Sequence, residues 1–265
     1  MNSVATPQVV TDEPLPRKVT DQFDESKYPY RNLIGCLQYL VTGSRFELAN
    51  VVRVLLKHLM TLTESHWKMA VRVLKYLNGT KTYGLVYDLE ESMATNDISI
   101  ETWSDSDWAN DKKDRKSITG YVTKVNGQVV SSKCVKQNIV TASSCHAEVV
   151  AANTAARDAM WTIELFKECY LTPKVAKLII DNHGAERICN HPGSHKRSKH
   201  IEVAHLMVRD YIERGYMETY TVNTKENVAD GNTKALTEQG FLKFRNSLGI
   251  VNVKSVLSGA KLSKD

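Results

Sequence analysis

Ile98-Ser-Ile-Glu-Thr-Trp-Ser-Asp105 alternates along its length, the period of a half-buried strand, and it stops on a carboxylate. A second strand signal follows close behind. Ser117-Ile-Thr-Gly-Tyr-Val-Thr-Lys-Val125 and Gln128-Val-Val-Ser-Ser-Lys-Cys-Val135 flank Asn126-Gly127. That dipeptide tolerates positive φ at both central turn positions, so the pair predicts a type I′ β-hairpin. Further on, a short strand is expected near 138–142, then a long Ala-rich helix from about Ser144 to Cys169, ending before Pro173. A strand over 175–180 ends at Asp181, a short helix covers about 184–190, another helix ends at Arg214-Gly215, and 216–222 alternates as a strand. The last helices fall between about 227 and 248. Strands first, then helices alternating with strands, describe an α/β fold: a mixed sheet with helices on its faces.

Upstream the period changes. Residues 1–27 mix Pro, Thr, Asp and Lys without apolar periodicity and are expected to be a flexible leader. Helical patterns then run through 33–40, 51–60 and 66–77, a helical subdomain over 28–80; Ser44-Arg-Phe-Glu47 matches a capping box at the start of the second helix. Tyr83–Leu89 carries a strand pattern, and the tail 251–265 is expected to be loose. The domain reading is therefore 1–27, 28–80, 81–250 and 251–265.

Composition sets the outer limits. The chain has 265 residues, a net charge of +5 and a pI near 8.8, a mild bias that suits a polyanionic partner. Five cysteines form no CxxC pair, which points to a reducing, intracellular setting, cytoplasmic or nuclear. No apolar run approaches the roughly 18 residues a membrane span needs, so no membrane partner is expected.

Four acids stand out by position. Asp105 and Asp181 end strands, Glu148 lies among small apolar residues on the long helix, and Asp230 opens Asp230-Gly-Asn-Thr-Lys-Ala-Leu236. Carboxylates converging from such places can cage two hard divalent cations, the arrangement that hydrolyses phosphodiesters. The ordinary alternative for each acid is a solvated loop or a helix cap; Asp181 before Asn182 is the plainest case.

Eight blocks then decide between these readings. Tyr30-Arg-Asn-Leu-Ile-Gly-Cys-Leu-Gln-Tyr-Leu40, His66-Trp-Lys-Met-Ala-Val-Arg-Val-Leu-Lys-Tyr-Leu-Asn-Gly-Thr80, Trp103-Ser-Asp-Ser-Asp-Trp-Ala-Asn-Asp111 and Arg115-Lys-Ser-Ile-Thr-Gly-Tyr-Val122 are the first four. Ser143-Ser-Cys-His-Ala-Glu148, Ile180-Asp-Asn182, Lys199-His-Ile-Glu202 and Ala229-Asp-Gly-Asn-Thr-Lys234 complete the order. Together Tyr30–Leu248 resembles the carboxyl-terminal end of a Ty1/copia-type retrotransposon polyprotein, where the tail of reverse transcriptase meets ribonuclease H. The resemblance implies a five-stranded ribonuclease H-like sheet behind a thumb-like helical remnant. It also implies cleavage of the RNA strand of RNA–DNA hybrids with two Mg²⁺ or Mn²⁺ ions, and upstream reverse transcriptase domains as partners. The catalytic and metal-binding acids it implies are Asp105, Glu148, Asp181 and Asp230, with Asp105 bridging the ions and Asp230 on the water-activating side. Asp107 is expected not to be a ligand, the strand's continuation turning it elsewhere. Lys196, Arg197 and Lys199 are candidate phosphate contacts. Trp108 and Tyr121 are placed as stacking groups or, more ordinarily, as core.

Some positions depart from the family. Arg45-Phe-Glu47 replaces Arg-Pro-Asp, Val149 stands where an aromatic residue usually follows the Glu, and Ser132-Lys-Cys-Val-Lys-Gln137 carries one extra residue with the potential to shift strand register. No Tyr-x-Asp-Asp occurs, so DNA synthesis is not expected. A zinc site of Cys189, His191, His195 and His200 matches no common finger spacing. The rivals to the nuclease are a nucleic-acid-binding relic that no longer cuts and a stranded fragment without function.

Overall fold

The structure is a computed structural model and describes residues 2–10, 25–87, 97–191 and 207–258. In chain order the helices are α1 (Tyr30–Gly43), α2 (Ala49–Leu56), α3 (Glu64–Gly79), α4 (Ser144–Glu168), α5 (His183–Asn190), α6 (Met207–Glu213), α7 (Asp230–Thr233), α8 (Glu238–Ser247) and α9 (Val253–Leu257). The strands are β1 (Tyr83–Leu85), β2 (Asp97–Ile98), β3 (Ile100–Asp107), β4 (Ile118–Val125), β5 (Gln128–Lys136), β6 (Thr172–Pro173), β7 (Ala176–Ile180), β8 (Met217–Thr221) and β9 (Ile250–Asn252). They form two compact units, one from Met1–Tyr87 with Ala235–Asp265, the other Asp88–Lys234. Residues 81–87 and 235–250, grouped by sequence with the sheet, thus pack with the helices.

In the helical unit, α1 buries Tyr30, Ile34, Leu37 and Val41, an i, i+3/i+4 stripe. The expected capping box at Ser44 does not form. Ser44 closes α1, and Glu47 is buried in a 2.7 Å ion pair with Arg45. The box sits instead at Thr63 and His66, where an imidazole nitrogen takes the place of the usual Glu and accepts from the Thr63 N–H at 3.0 Å. Two further corrections concern the ends. Residues 2–10 are packed: Thr6 is buried, Arg72 donates to its hydroxyl, and Asn50 donates to Gln8. The tail is ordered as far as 258, because β9 pairs antiparallel with β1. That pairing also explains why the 83–89 strand pattern stays out of the main sheet.

The second unit is built on a five-stranded sheet in the order β5-β4-β3-β7-β8, with β3, β4 and β5 antiparallel and β3, β7 and β8 parallel. The hairpin turns at Asn126 (φ 48°) and Gly127 (φ 78°), as the sequence predicts for type I′. The extra residue near 132–137 leaves the ladder continuous from Ser131 to Lys136; the register shifts instead at Thr123/Lys124. No strand forms at 138–142. Thr141 is held by its hydroxyl against Ser117 at 2.9 Å and by its carbonyl, which accepts from the Trp108 indole at 3.2 Å.

Alternation assigns the two faces of the sheet. One presents Ile100, Tyr121, Leu178, Ile180 and Met217 to the Ala-rich face of α4, Ala152, Ala155, Ala156 and Ala159. Small residues let this helix lie close, and Asp158 ties it down by accepting hydrogen bonds from Tyr121 (2.9 Å), Thr123 (2.7 Å) and Ser131 (3.1 Å). The other face carries Gly120, against which α7 sits. A Cβ there would lie 2.8 Å from Asn232 Cβ and 2.8 Å from Thr233 Cγ2, so only glycine allows the approach.

Candidate active site

β3 and β7 are parallel neighbours whose pairing stops at Ser104 opposite Ile180, so Asp105 and Asp181 follow side by side at one edge. Asp181 lies just past the end of β7, but Asp105 does not end its strand as the sequence suggests: β3 runs on to Asp107, and Asp105 still pairs with Gly120 of β4. Glu148 arrives from above. Ser143 caps α4 through the His146 N–H at 3.1 Å, and one turn on, Glu148 Oε1 accepts from the Ser106 N–H at 3.3 Å. Oxygens of Asp105, Glu148 and Asp181 all lie within 4.8 Å of one another. Asp105 is 4% exposed and Glu148 6%, and Glu148 Oε2 has no hydrogen-bond partner among the described residues.

Asp230 reaches the cluster from the opposite face through α7. Asn227 pins the preceding loop by donating to the Ser104 carbonyl at 2.9 Å, one residue before Asp105. Asn232 pins the helix by donating to the Tyr121 carbonyl and to Ser132, both at 2.9 Å. The Thr233 hydroxyl donates to Asp105 Oδ2, and Lys234 Nζ lies 2.9 Å from Asp230 Oδ1.

The crowding shows in proton affinity. Burial, followed by the charges of Asp105 and Asp181, pushes the Glu148 carboxyl up to about 9, against the opposing Ser106 hydrogen bond. Burial likewise lifts Asp105 to about 7; Thr233 and Lys234 oppose the rise, and Asp230 and Asp181 add to it. Asp230 is raised too, by burial first and by Asp181, with Lys234 pulling the other way.

Three of the four acids singled out in the sequence lie within 4.8 Å of one another, and Asp230 stands beside them, close enough to feel Asp105 and Asp181. Asp107 stays outside the three-acid group, though not for the expected reason. Two residues along a strand return to the same face; what separates it is about 7 Å of rise and its acceptance of a hydrogen bond from Asn110. Tyr121 is core, while Trp108 is half-exposed. Val149 is fully buried in the core among the alanines of α4. Lys196, Arg197 and Lys199, with His195 and His200, lie outside the described residues; Cys189 is buried, its thiol pushed up to about 12 by burial, and belongs to the core. Sequence reasoning assigned nothing to Gly120, Asn227, Asn232, Thr233 or Lys234. Four of them are polar or glycine residues inside quoted blocks, which was the available signal.

Strand order, mixed directions and acids at the carboxyl edge define the fold as ribonuclease H-like. No protein-family model matches the chain. Among curated proteins it is 30% identical to the Retrovirus-related Pol polyprotein from transposon RE2 of Arabidopsis thaliana over 97% of its own length, and 31% identical to that from transposon RE1 over 84%. The chain belongs to the Ty1/copia-type retrotransposon Pol polyproteins, and spans 17% and 15% of the length of these two relatives. Among solved structures, the N-terminal RNase H domain of rv2228c from Mycobacterium tuberculosis, in a fusion with maltose-binding protein, covers 57% of the chain and 98% of its own, with a TM-score of 0.38 at 11% identity. No helix among the described residues is long and apolar enough to cross a membrane.

Proposed function

We propose that the sheet unit hydrolyses the RNA strand of RNA–DNA hybrids, using two Mg²⁺ or Mn²⁺ ions held by Asp105, Glu148, Asp181 and Asp230. The observation that carries this is the convergence of three acids within 4.8 Å, two of them buried, with Glu148 Oε2 left unpaired. Oxygen donors alone, in that number, suit a hard divalent cation. Such ions, when bound, lower the pKa of the attacking water and neutralise charge at the leaving oxygen.

The chain's own groups fix the acids for this work. Thr233 orients Asp105, the Ser106 N–H orients Glu148, and Asn227 and Asn232 hold α7 so that Asp230 faces Asp105 across the sheet edge. Burial keeps competing water from Asp105 and Glu148. Lys196, Arg197 and Lys199 would grip the backbone phosphates, and recognition of the 2′-hydroxyl would distinguish the RNA strand. The products would carry 5′-phosphate and 3′-hydroxyl ends.

The test is cleavage of an end-labelled RNA–DNA hybrid with Mg²⁺ or Mn²⁺, beside Asp105→Asn and an EDTA control. Cutting of the RNA strand alone, lost in both controls, is the expected result. A folded chain that binds the hybrid and leaves it intact would overturn the proposal and leave a nucleic-acid-binding relic.

A further inference from the structure

The helix α7 delivers a cation to the acids as well as a carboxylate. Lys234 closes this four-residue helix, its N–H bonded to the Asp230 carbonyl at 3.3 Å. From there its side chain folds back, four residues on, to place the ammonium 2.9 Å from Asp230 Oδ1. The Lys234 side chain is 43% exposed, so the head is anchored while the stem has a way out to solvent.

The cluster is consequently lopsided. On one side of Asp105, oxygens of Glu148 and Asp181 lie within 4.8 Å of it, with Glu148 Oε2 unpartnered. On the other side, Asp230 already has a positive partner, and Thr233 donates to Asp105 from the same short helix. An ammonium and a divalent cation repel strongly a few Å apart, even with partial solvent screening. They also compete for the same carboxylate oxygens.

We propose that Lys234 is a resident counter-ion that holds Asp230 against divalent cations. The group Asp105–Glu148–Asp181 is open to a first cation, and Asp230 becomes available to a second only when the Lys234 ammonium has swung away. The two ion sites therefore differ in affinity because of one side chain of this chain. This inference rests on the cation-dependent reading of the site, and the experiment separates the two.

Mn²⁺ binding to the full chain, without nucleic acid, is measured by electron paramagnetic resonance of the free ion for wild type, Lys234→Met and Lys234→Arg. The first-site affinity is expected to change less than the second, because Lys234 contacts Asp230 directly and reaches Asp105 only through its charge. The second site is expected to tighten by about tenfold or more in Lys234→Met, the effect of removing a repelling charge at close range. Lys234→Arg keeps the charge and should stay close to wild type. Equal second-site affinity in wild type and Lys234→Met would overturn the inference while leaving the nuclease reading intact. No Mn²⁺ bound by folded wild type would remove the cation reading itself, and this inference with it. Lys234→Gln supplies a second neutral variant should Lys234→Met lose its folded circular-dichroism spectrum.

Discussion

Replacing Glu148 by Gln should stabilise the cation-free protein at pH 8 far more than at pH 5. The carboxyl moves from an ordinary 4.5 in the unfolded chain to about 9 in the folded protein. Between those values the folded state keeps a proton that the unfolded chain releases, so stability falls as pH climbs through this window. The penalty is about 1 kcal/mol at pH 5 and about 5 kcal/mol at pH 8. Gln has no ionised form, so the wild type should lose about 4 kcal/mol relative to Glu148→Gln between the two pH values. The amide's own hydrogen-bonding differences, including an NH₂ beside the unpartnered Oε2 position, cost about 1–3 kcal/mol but do not vary with pH. Asp105, moved from 3.8 to about 7, gives both proteins a slope of the same sign. The assay is urea unfolding in EDTA at pH 5, 6, 7 and 8, followed by the fluorescence of Trp103, Trp108 and Trp161 in the sheet unit. Parallel stability curves for the two proteins would refute the reasoning, because they would mean that Glu148 does not hold its proton in the cluster.

Two other perturbations test how the site is supported. Gly120→Ala places a methyl group 2.8 Å from both Asn232 Cβ and Thr233 Cγ2, and should cost about 1–3 kcal/mol of stability. Because the displaced helix carries Asp230, hybrid cleavage should fall with it; full cleavage in a folded Gly120→Ala protein would show that α7 has no need of this close approach. Asp158→Ala removes the shared acceptor of Tyr121, Thr123 and Ser131 and should cost about 2–3 kcal/mol, with Asp158→Asn losing less. Equal denaturation midpoints for wild type and Asp158→Ala would mean that water replaces the carboxylate at no cost.

The parts of the fold legible in sequence were those where local pattern and tertiary need coincide. Asn126-Gly127 specifies its turn by backbone conformation alone, and the alternation of 98–105 is imposed by one face packing on α4. Ser44-Arg-Phe-Glu47 misled because its pattern is permissive: Glu47 finds Arg45 and Tyr76, at 2.7 and 3.2 Å, in preference to a backbone amide. A capping box built on His66 carries no such letters. The β1–β9 ladder joins residues more than 160 positions apart in sequence, and three-residue strands give too little alternation to announce themselves.

The site divides the same way, and the division has a physical cause. An acid at the end of a strand can be read because two facts meet in one residue: a sheet edge and a charge. Asp181, just past β7, has both; Asp105 is legible as a charge on an alternating pattern, although β3 continues two residues beyond it; and Glu148 betrays itself as a charge among alanines on a helix that must be buried. Asp230 stands out only as the acid opening a short polar stretch, and the resemblance of the block around it supplies its role, since a four-residue helix has no periodicity. The supporting residues had still less to offer locally. Gly120 matters because of Asn232 and Thr233, more than a hundred positions away, and Lys234 matters because α7 turns it back on Asp230. Their meaning is a distance across the fold, and that is why the acids could be named in advance while the cation beside them could not.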